Sequence, residues 1–340
     1  MALLLSGCKA LSFYRPAIAG EYQILAHQQP IGELLANPDT PAQLKVKFDQ
    51  VLRMRLFAQH DLGLPADDEY LKYVDLHRPY VVWNVNVAKP LSLTPKTWWF
   101  PIIGRASYRG YFEEKQARSY GGDFEKKGWD VYVDGVVTYS TLGWFHDPLL
   151  NTFINEPESY LAEVIFHELT HRRLFIAGDT DFNEGLAVAV SEEGVRRWCQ
   201  TNHQAAAYEK YLRNLDNEHA FVRLVMTTRD RLQAVYEDPK LSTDEKLRRK
   251  GEVIEQLRAE YAELKKQLGG KAGYDAWIAA PINNAKLNTV SAYFDLVPGF
   301  RALLKQNGGD LQKFFVEAEK LGKLPLKERH AALQGPESSK

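Results

Sequence analysis

Hydrophobic positions change their period several times along this chain. In QLKVKFDQVLRMRLFAQ, residues 43–59, Leu44, Phe48, Val51, Leu52 and Leu56 recur at helical spacing, which predicts a helix with one apolar face. Asn37, Pro38 and Pro41 mark the turn before it, and Gly63 and Pro65 its stop. The whole stretch 9–80 reads as largely helical. YVVWNVNVA, residues 80–88, then sets Val81, Trp83, Val85 and Val87 against Val82, Asn84 and Asn86, the alternation of a strand with one buried face. WDVYVDGVVTYSTLGW, residues 129–144, repeats that pattern. Between them TWWFPIIGRASYRGYF, residues 97–112, is aromatic and broken by Pro101, Gly104 and Gly110, and reads as strand and turn packed on the sheet.

Beyond Trp198 the period becomes helical throughout. Leu247, Ile254, Leu257, Tyr261, Leu264 and Leu268 form a heptad seam. Tyr208, Leu215 and Val222, with Tyr211, Val225 and Leu232, form a matching stripe before the turn EDPKLST. Two long antiparallel helices packed on each other are expected. The predicted class is α+β: a small mixed or antiparallel sheet, and a mostly helical C-terminal part that includes this hairpin. The expected divisions are 1–8, a short leader; 9–200, a catalytic region; and 201–335, a helical region completing its cleft.

Charge narrows the partners. Lys and Arg number 43 against 44 Asp and Glu, so no field draws the chain to nucleic acid. No run of about 18 apolar residues predicts a membrane span. The two cysteines, Cys8 and Cys199, are too few for a disulfide framework. Leu5-Ser6-Gly7-Cys8 resembles the lipobox after which bacterial lipoproteins are cleaved and acylated. Attachment through Cys8 is then the one expected membrane contact, and it implies the bacterial periplasm. Lys9 after the cysteine resembles the signal for the outer membrane.

The chemistry concentrates in FHELTHRRLFIAGDTDFNEG, residues 166–185. Asn155, Glu156 and Pro157 start a helix expected to continue toward Gly178. His167 and His171, four apart, share one face of it and can offer two imidazole nitrogens to one zinc ion. Glu168 stands beside them, placed to take a proton from the attacking water. Asp181-Phe182-Asn183-Glu184 opens a second helix, and Glu184 in its first turn can complete a two-histidine, one-carboxylate site. Asp181 and Glu184 also match a capping box, in which Glu184 only caps its own helix. Asp179 and Asp181 remain alternative third ligands. Ala177 occupies the position at which shorter zinc motifs place theirs.

HELTH followed by FNEG resembles the gluzincin metallopeptidases. Together with FAQHDLGLP (57–65), RPYVVWNV (78–85), FPIIGRASYRGYF (100–112), YSTLGWFHDP (139–148) and PINNAKLNTVSAYFDLVPGF (281–300), it resembles more closely a bacterial family named for putative aminopeptidases, whose members are often lipoproteins. The resemblance implies a zincin-like fold and a zinc-dependent aminopeptidase acting on peptides. It implies one zinc per chain on His167, His171 and Glu184, with Glu168 as general base. An endopeptidase and a zincin-like scaffold that binds a partner are the alternatives.

Two departures from better-known gluzincins stand out. Twelve residues separate His171 from Glu184, and Val188 stands where a carboxylate often follows the third ligand. Ser191 or Glu192 is then the candidate support for the histidines. For the oxyanion, Tyr293 is the first candidate, followed by Tyr139, Tyr108 and Arg109 as cleft residues. Residues 133–144 are expected to offer a sheet edge to the peptide. Glu113, Glu114, Glu192 and Asp147 are candidates to hold the substrate's α-ammonium.

Overall fold

The computed structural model describes residues 20–334 except 21, 23, 101–103, 139–146, 271 and 291–295. Cys8, Tyr139 and Tyr293 lie outside the described residues. From the N-terminal side the elements are β1 (Gln29–Pro30), α1 (Ile31–Ala36), α2 (Ala42–His60), β2 (Lys72–Val74), β3 (Val82–Ala88), β4 (Trp98–Phe100), β5 (Gly104–Ala106) and β6 (Tyr108–Tyr111). There follow α3 (Glu114–Glu125), β7 (Asp130–Val136), β8 (Leu149–Leu150), α4 (Glu158–Arg173), α5 (Thr180–Thr201), α6 (Ala205–Glu237) and α7 (Thr243–Gln267). Short helices close the chain: α8 (Asp275–Ala279), α9 (Asn284–Leu287), α10 (Val297–Gln306), α11 (Leu311–Gly322) and α12 (Leu326–Leu333). The class is α+β, as the periodicity predicts. Two compact units emerge, each assembled from separate stretches: 1–21, 80–136 and 212–292 form unit 1, and 22–79, 137–211 and 293–340 form unit 2.

Unit 1 is built on an antiparallel sheet of order β6-β3-β7. The alternation in β3 sends Trp83, Val85 and Val87 to one face, where Ala117, Tyr120 and Phe124 of α3 cover them. Asn84 and Asn86 fall on the other face, and the Asn86 amide donates to Asp134 Oδ1 at 2.7 Å. The aromatic stretch 97–112 divides: β4 and β5 pair as a small hairpin, while β6 joins the sheet. The helices α6 and α7 run antiparallel, Phe221, Val225, Leu232 and Tyr236 packing with Leu257 and Tyr261. Arg231 and Glu260 are ion-paired across them at 2.7 Å. The seam fails at its start, because Leu247 is 43% exposed and Lys250 takes the inward position, reaching Asp130 at 2.5 Å.

Unit 2 carries the histidine motif. Its small sheet, order β1-β2-β8, is mixed, with β1 antiparallel and β8 parallel to β2. The stretch 9–80 is therefore less helical than its composition suggests, since β1, β2 and the loop after α2 interrupt it. As expected, α2 ends at His60 just before Gly63, whose φ of +68° a side chain would resist. The inward stripe of α4, Leu161, Ala162, Ile165, Phe166 and Leu169, is fully buried, each large side chain contributing about 1.5–3 kcal/mol. The neighbouring helix α5 comes close because Gly194 has no side chain: a Cβ there would meet the Phe166 ring at 2.5 Å. No described helix is long and apolar enough to cross a membrane.

Candidate metal centre

Helix α4 turns its buried stripe inward and leaves Glu163, His167 and His171, spaced one turn apart, along a partly covered strip. It ends at Arg173, where Leu174 turns extended, rather than running on to Gly178. The connecting loop is short, and Asn183 holds it: its side-chain oxygen accepts from Ile176 N at 2.8 Å and its amide donates to Ile176 O at 2.9 Å. Gly178, φ +82°, lets the chain reverse.

The start of α5 is displaced from its expected position. Asp179, not Asp181, is the N-cap, accepting from Phe182 N at 3.1 Å. Asp179 also receives Arg329 Nη1 at 2.6 Å and His330 Nε2 at 2.9 Å, and is 3% exposed. The capping-box reading of Glu184 therefore falls: Glu184 sits a turn inside α5, with its carboxylate free of the cap. Asp179 is engaged as cap and ion-pair partner, and Asp181 is exposed at the surface, so neither competes as third ligand.

Glu184 instead faces the two histidines. Its Oε2 lies 3.2 Å from His167 Nε2 and its Oε1 3.5 Å from His171 Nε2, and the two ring nitrogens are 3.1 Å apart. Among the described residues these three are the group able to hold a metal ion, all donor atoms lying within 4.8 Å of one another. Two imidazole nitrogens and one carboxylate oxygen suit a divalent ion such as zinc and leave coordination positions for water and substrate.

The electrostatics fit this use. Burial and the neighbouring His167 push His171 down to about 4, so its ring is neutral and able to donate a lone pair at pH 7. Burial alone would also lower His167, but the hydrogen bond to Glu184 and the carboxylates of Glu168, Glu184 and Glu163 outweigh it and raise it. Burial alone would raise Glu184; the His167 hydrogen bond and the two rings hold it below the ordinary carboxylate range. His171 Nδ1 is buried with no hydrogen-bond partner. The expected supports do not reach it: Ser191 Oγ donates to Val188 O at 3.0 Å, and Glu192 is paired with Arg301 at 2.6 Å.

Other candidates are placed elsewhere. Tyr108, 42% exposed, and Arg109 lie on β6 of unit 1, Arg109 standing 4.7 Å over the Tyr120 ring. The metal cluster is in unit 2, so these residues do not share its unit. Strand β7 is indeed an edge of its three-stranded sheet, again in unit 1, and residues 139–144 of the expected edge lie outside the described ones. Glu113 and Glu114 bond within their own helix, to Gln116 and Arg118.

The sequence reading missed a set of buried partners around α4. Glu163 Oε1 accepts from the Tyr211 hydroxyl at 2.9 Å. Glu69, 1% exposed, is bound by Arg172 Nη1 at 2.5 Å and accepts from Asp147 N at 2.7 Å. The acidic run ADDEY, residues 66–70, is the only signal for the second of these, and it reads locally as solvated loop.

A helix presenting two histidines, with a glutamate from the next helix closing on them, defines a candidate metal site of the HExxH-plus-Glu class. The family described as "Putative aminopeptidase" matches residues 12–333, and the chain belongs to it. That description points to a peptidase. No curated protein and no solved structure matches the chain.

Proposed function

We propose that the protein is a zinc-dependent metallopeptidase of aminopeptidase type, taking peptides with a free N-terminus. The observation that carries this reading is the convergence of His167, His171 and Glu184 within 4.8 Å, with Glu168 next to the first ligand in a chain of this family. His167, His171 and Glu184 would hold the ion. When bound, zinc acidifies a water and polarises the scissile carbonyl.

The chain's own residues supply the rest. The Glu168 carboxylate accepts a proton from the attacking water and returns it to the nitrogen of the leaving amine. The neutral His171 ring and the low-lying Glu184 carboxylate are ready as ligands near neutral pH, without first losing a proton. Phe175, 49% exposed, packs edge-on to His171 at 6.3 Å and presents an apolar surface beside the cluster. Anchoring through Cys8 in the periplasm belongs to the same proposal; a Cys8→Ser chain should move from the membrane to the soluble fraction.

Zinc-loaded protein should cleave unblocked amino-acid amides and short peptides, and a chelator should stop it. N-acetylated versions should be cut at least tenfold more slowly. Equal cleavage of acetylated peptides makes it an endopeptidase; no cleavage of either by the zinc-loaded chain leaves a zincin-like scaffold.

A further inference from the structure

Phe175 is a large apolar residue left 49% exposed just past the end of α4. One exposed ring is ordinary on a protein surface, but this one is held from both sides. Before it, Leu174 leaves the helix in extended conformation while its N–H still donates to Thr170 O at 3.0 Å. After it, both backbone polar groups of Ile176 are bound by the Asn183 side chain, at 2.8 and 2.9 Å, and Asn183 is 2% exposed. The Ile176 side chain packs on Gly322 of α11, where a Cβ would come within 2.6 Å of it.

Asn183 immediately precedes Glu184. One buried side chain therefore ties the backbone next to Phe175 to the turn of α5 that delivers the third ligand. The Phe175 ring stands edge-on to His171, with centroids 6.3 Å apart and planes at 80°. Ring, His171 and Glu184 thus share one frame. The two cations that precede this segment are engaged elsewhere: Arg172 pairs with Glu69 at 2.5 Å, and Arg173 pairs with Glu319 at 3.0 Å and lies 5.1 Å over the Phe315 ring. What Phe175 offers beside the cluster is apolar surface at a fixed place.

We propose that Phe175 is a specificity-determining residue of this site: its exposed face receives the side chain of the substrate's N-terminal residue and favours large apolar ones, such as leucine, over alanine. In an aminopeptidase the carbonyl that reacts belongs to the N-terminal residue, whose side chain sits on the next carbon and so enters the site with it. Contact between that side chain and the ring takes apolar surface of both out of water. A ring that served only to shield His171 would be covered on its outer face as well. The inference rests on the peptidase reading above and names its substrate class.

Three readouts on zinc-loaded chains test it: zinc content, kcat/KM for L-leucinamide against L-alaninamide, and calorimetric binding of the same two amides to Glu168→Gln with and without Phe175→Ala. Wild type should prefer leucinamide about tenfold or more, the scale of a few methylenes in apolar contact, and the Glu168→Gln chain should bind it more tightly by a similar ratio. Phe175→Ala should keep one zinc per chain and bring both ratios within about twofold of unity, while Phe175→Leu should keep most of the preference. A wild type that does not rank the two amides, or a Phe175→Ala chain that ranks them as wild type does, would overturn the proposal. So would equal losses on both amides accompanied by loss of zinc, the result of a ring that only shields His171. If Phe175→Ala fails to fold, Phe175→Gln, which keeps the bulk and loses the apolar face, should lower the ratio; an unchanged ratio there overturns the proposal equally. A wild-type chain that binds zinc and hydrolyses neither amide sinks the peptidase reading and the subsite with it. Failure of the subsite alone is a different result, since it leaves hydrolysis intact and unranked.

Discussion

Asp179 and Arg329, far apart in sequence, form a buried ion pair at 2.6 Å, and the same aspartate caps α5 through Phe182 N. The helix that delivers Glu184 to the histidines is thus fixed at its start by a residue from the last described helix. The sign of each interaction agrees, since a carboxylate at a helix N-terminus is favoured by the unpaired N–H groups there.

Asp179→Ala should destabilise the protein by about 3–5 kcal/mol, because it leaves a buried arginine unpaired, with the lost cap adding about 1 kcal/mol. Asp179→Asn keeps a capping oxygen and should cost less. Urea unfolding of the metal-free chains checks both; an alanine variant as stable as wild type would show that the pair contributes nothing.

Metal-free protein should lose stability to acid through His171. Its folded pKa, about 4, lies below the free value of 6.5. Protonation therefore favours the unfolded chain, and the contribution, complete above pH 6.5, is lost as pH falls toward 4. Thermal midpoints of wild type and His171→Gln across that window measure it, and the variant should show the shallower slope.

Asp134 on the unit 1 sheet should act in the opposite sense. Burial raises it to about 6, against the Asn86 hydrogen bond, from 3.8. Its contribution is complete below pH 3.8 and is lost as pH rises through 6. At about 1.4 kcal/mol per pKa unit, Asp134→Asn should gain no more than about 3 kcal/mol at pH 7 and nothing at pH 3. A gain independent of pH would contradict the assignment.

Much of this was legible locally. The alternation of Val81, Trp83, Val85 and Val87 describes β3 as found, because a half-buried strand writes its period directly into sequence. His167, Glu168 and His171 are readable because a helix turns spacing into shared faces, and Glu184 because its helix follows at once. What failed depended on distant partners. Asp179 and Asp181 are equally good caps by type, and the choice falls to Asp179, which Arg329 and His330 hold. Leu247 fits the heptad but finds no partner that buries it. Glu69 in ADDEY reads as a surface acid until Arg172 is brought to it by the fold.

Glu168→Gln should bind zinc as wild type does and lose at least about 100-fold in kcat, the usual scale of general acid–base assistance. Retained hydrolysis would remove Glu168 from the role of base.

Elemental analysis of purified wild type and Glu184→Ala, after reconstitution with zinc and removal of excess ion, tests the central claim most directly. The account predicts one zinc per wild-type chain and a site emptied or loosened tenfold or more in the variant. A wild-type chain that holds no zinc, or a variant that holds it as firmly as wild type, would contradict the assignment of His167, His171 and Glu184 as a metal site.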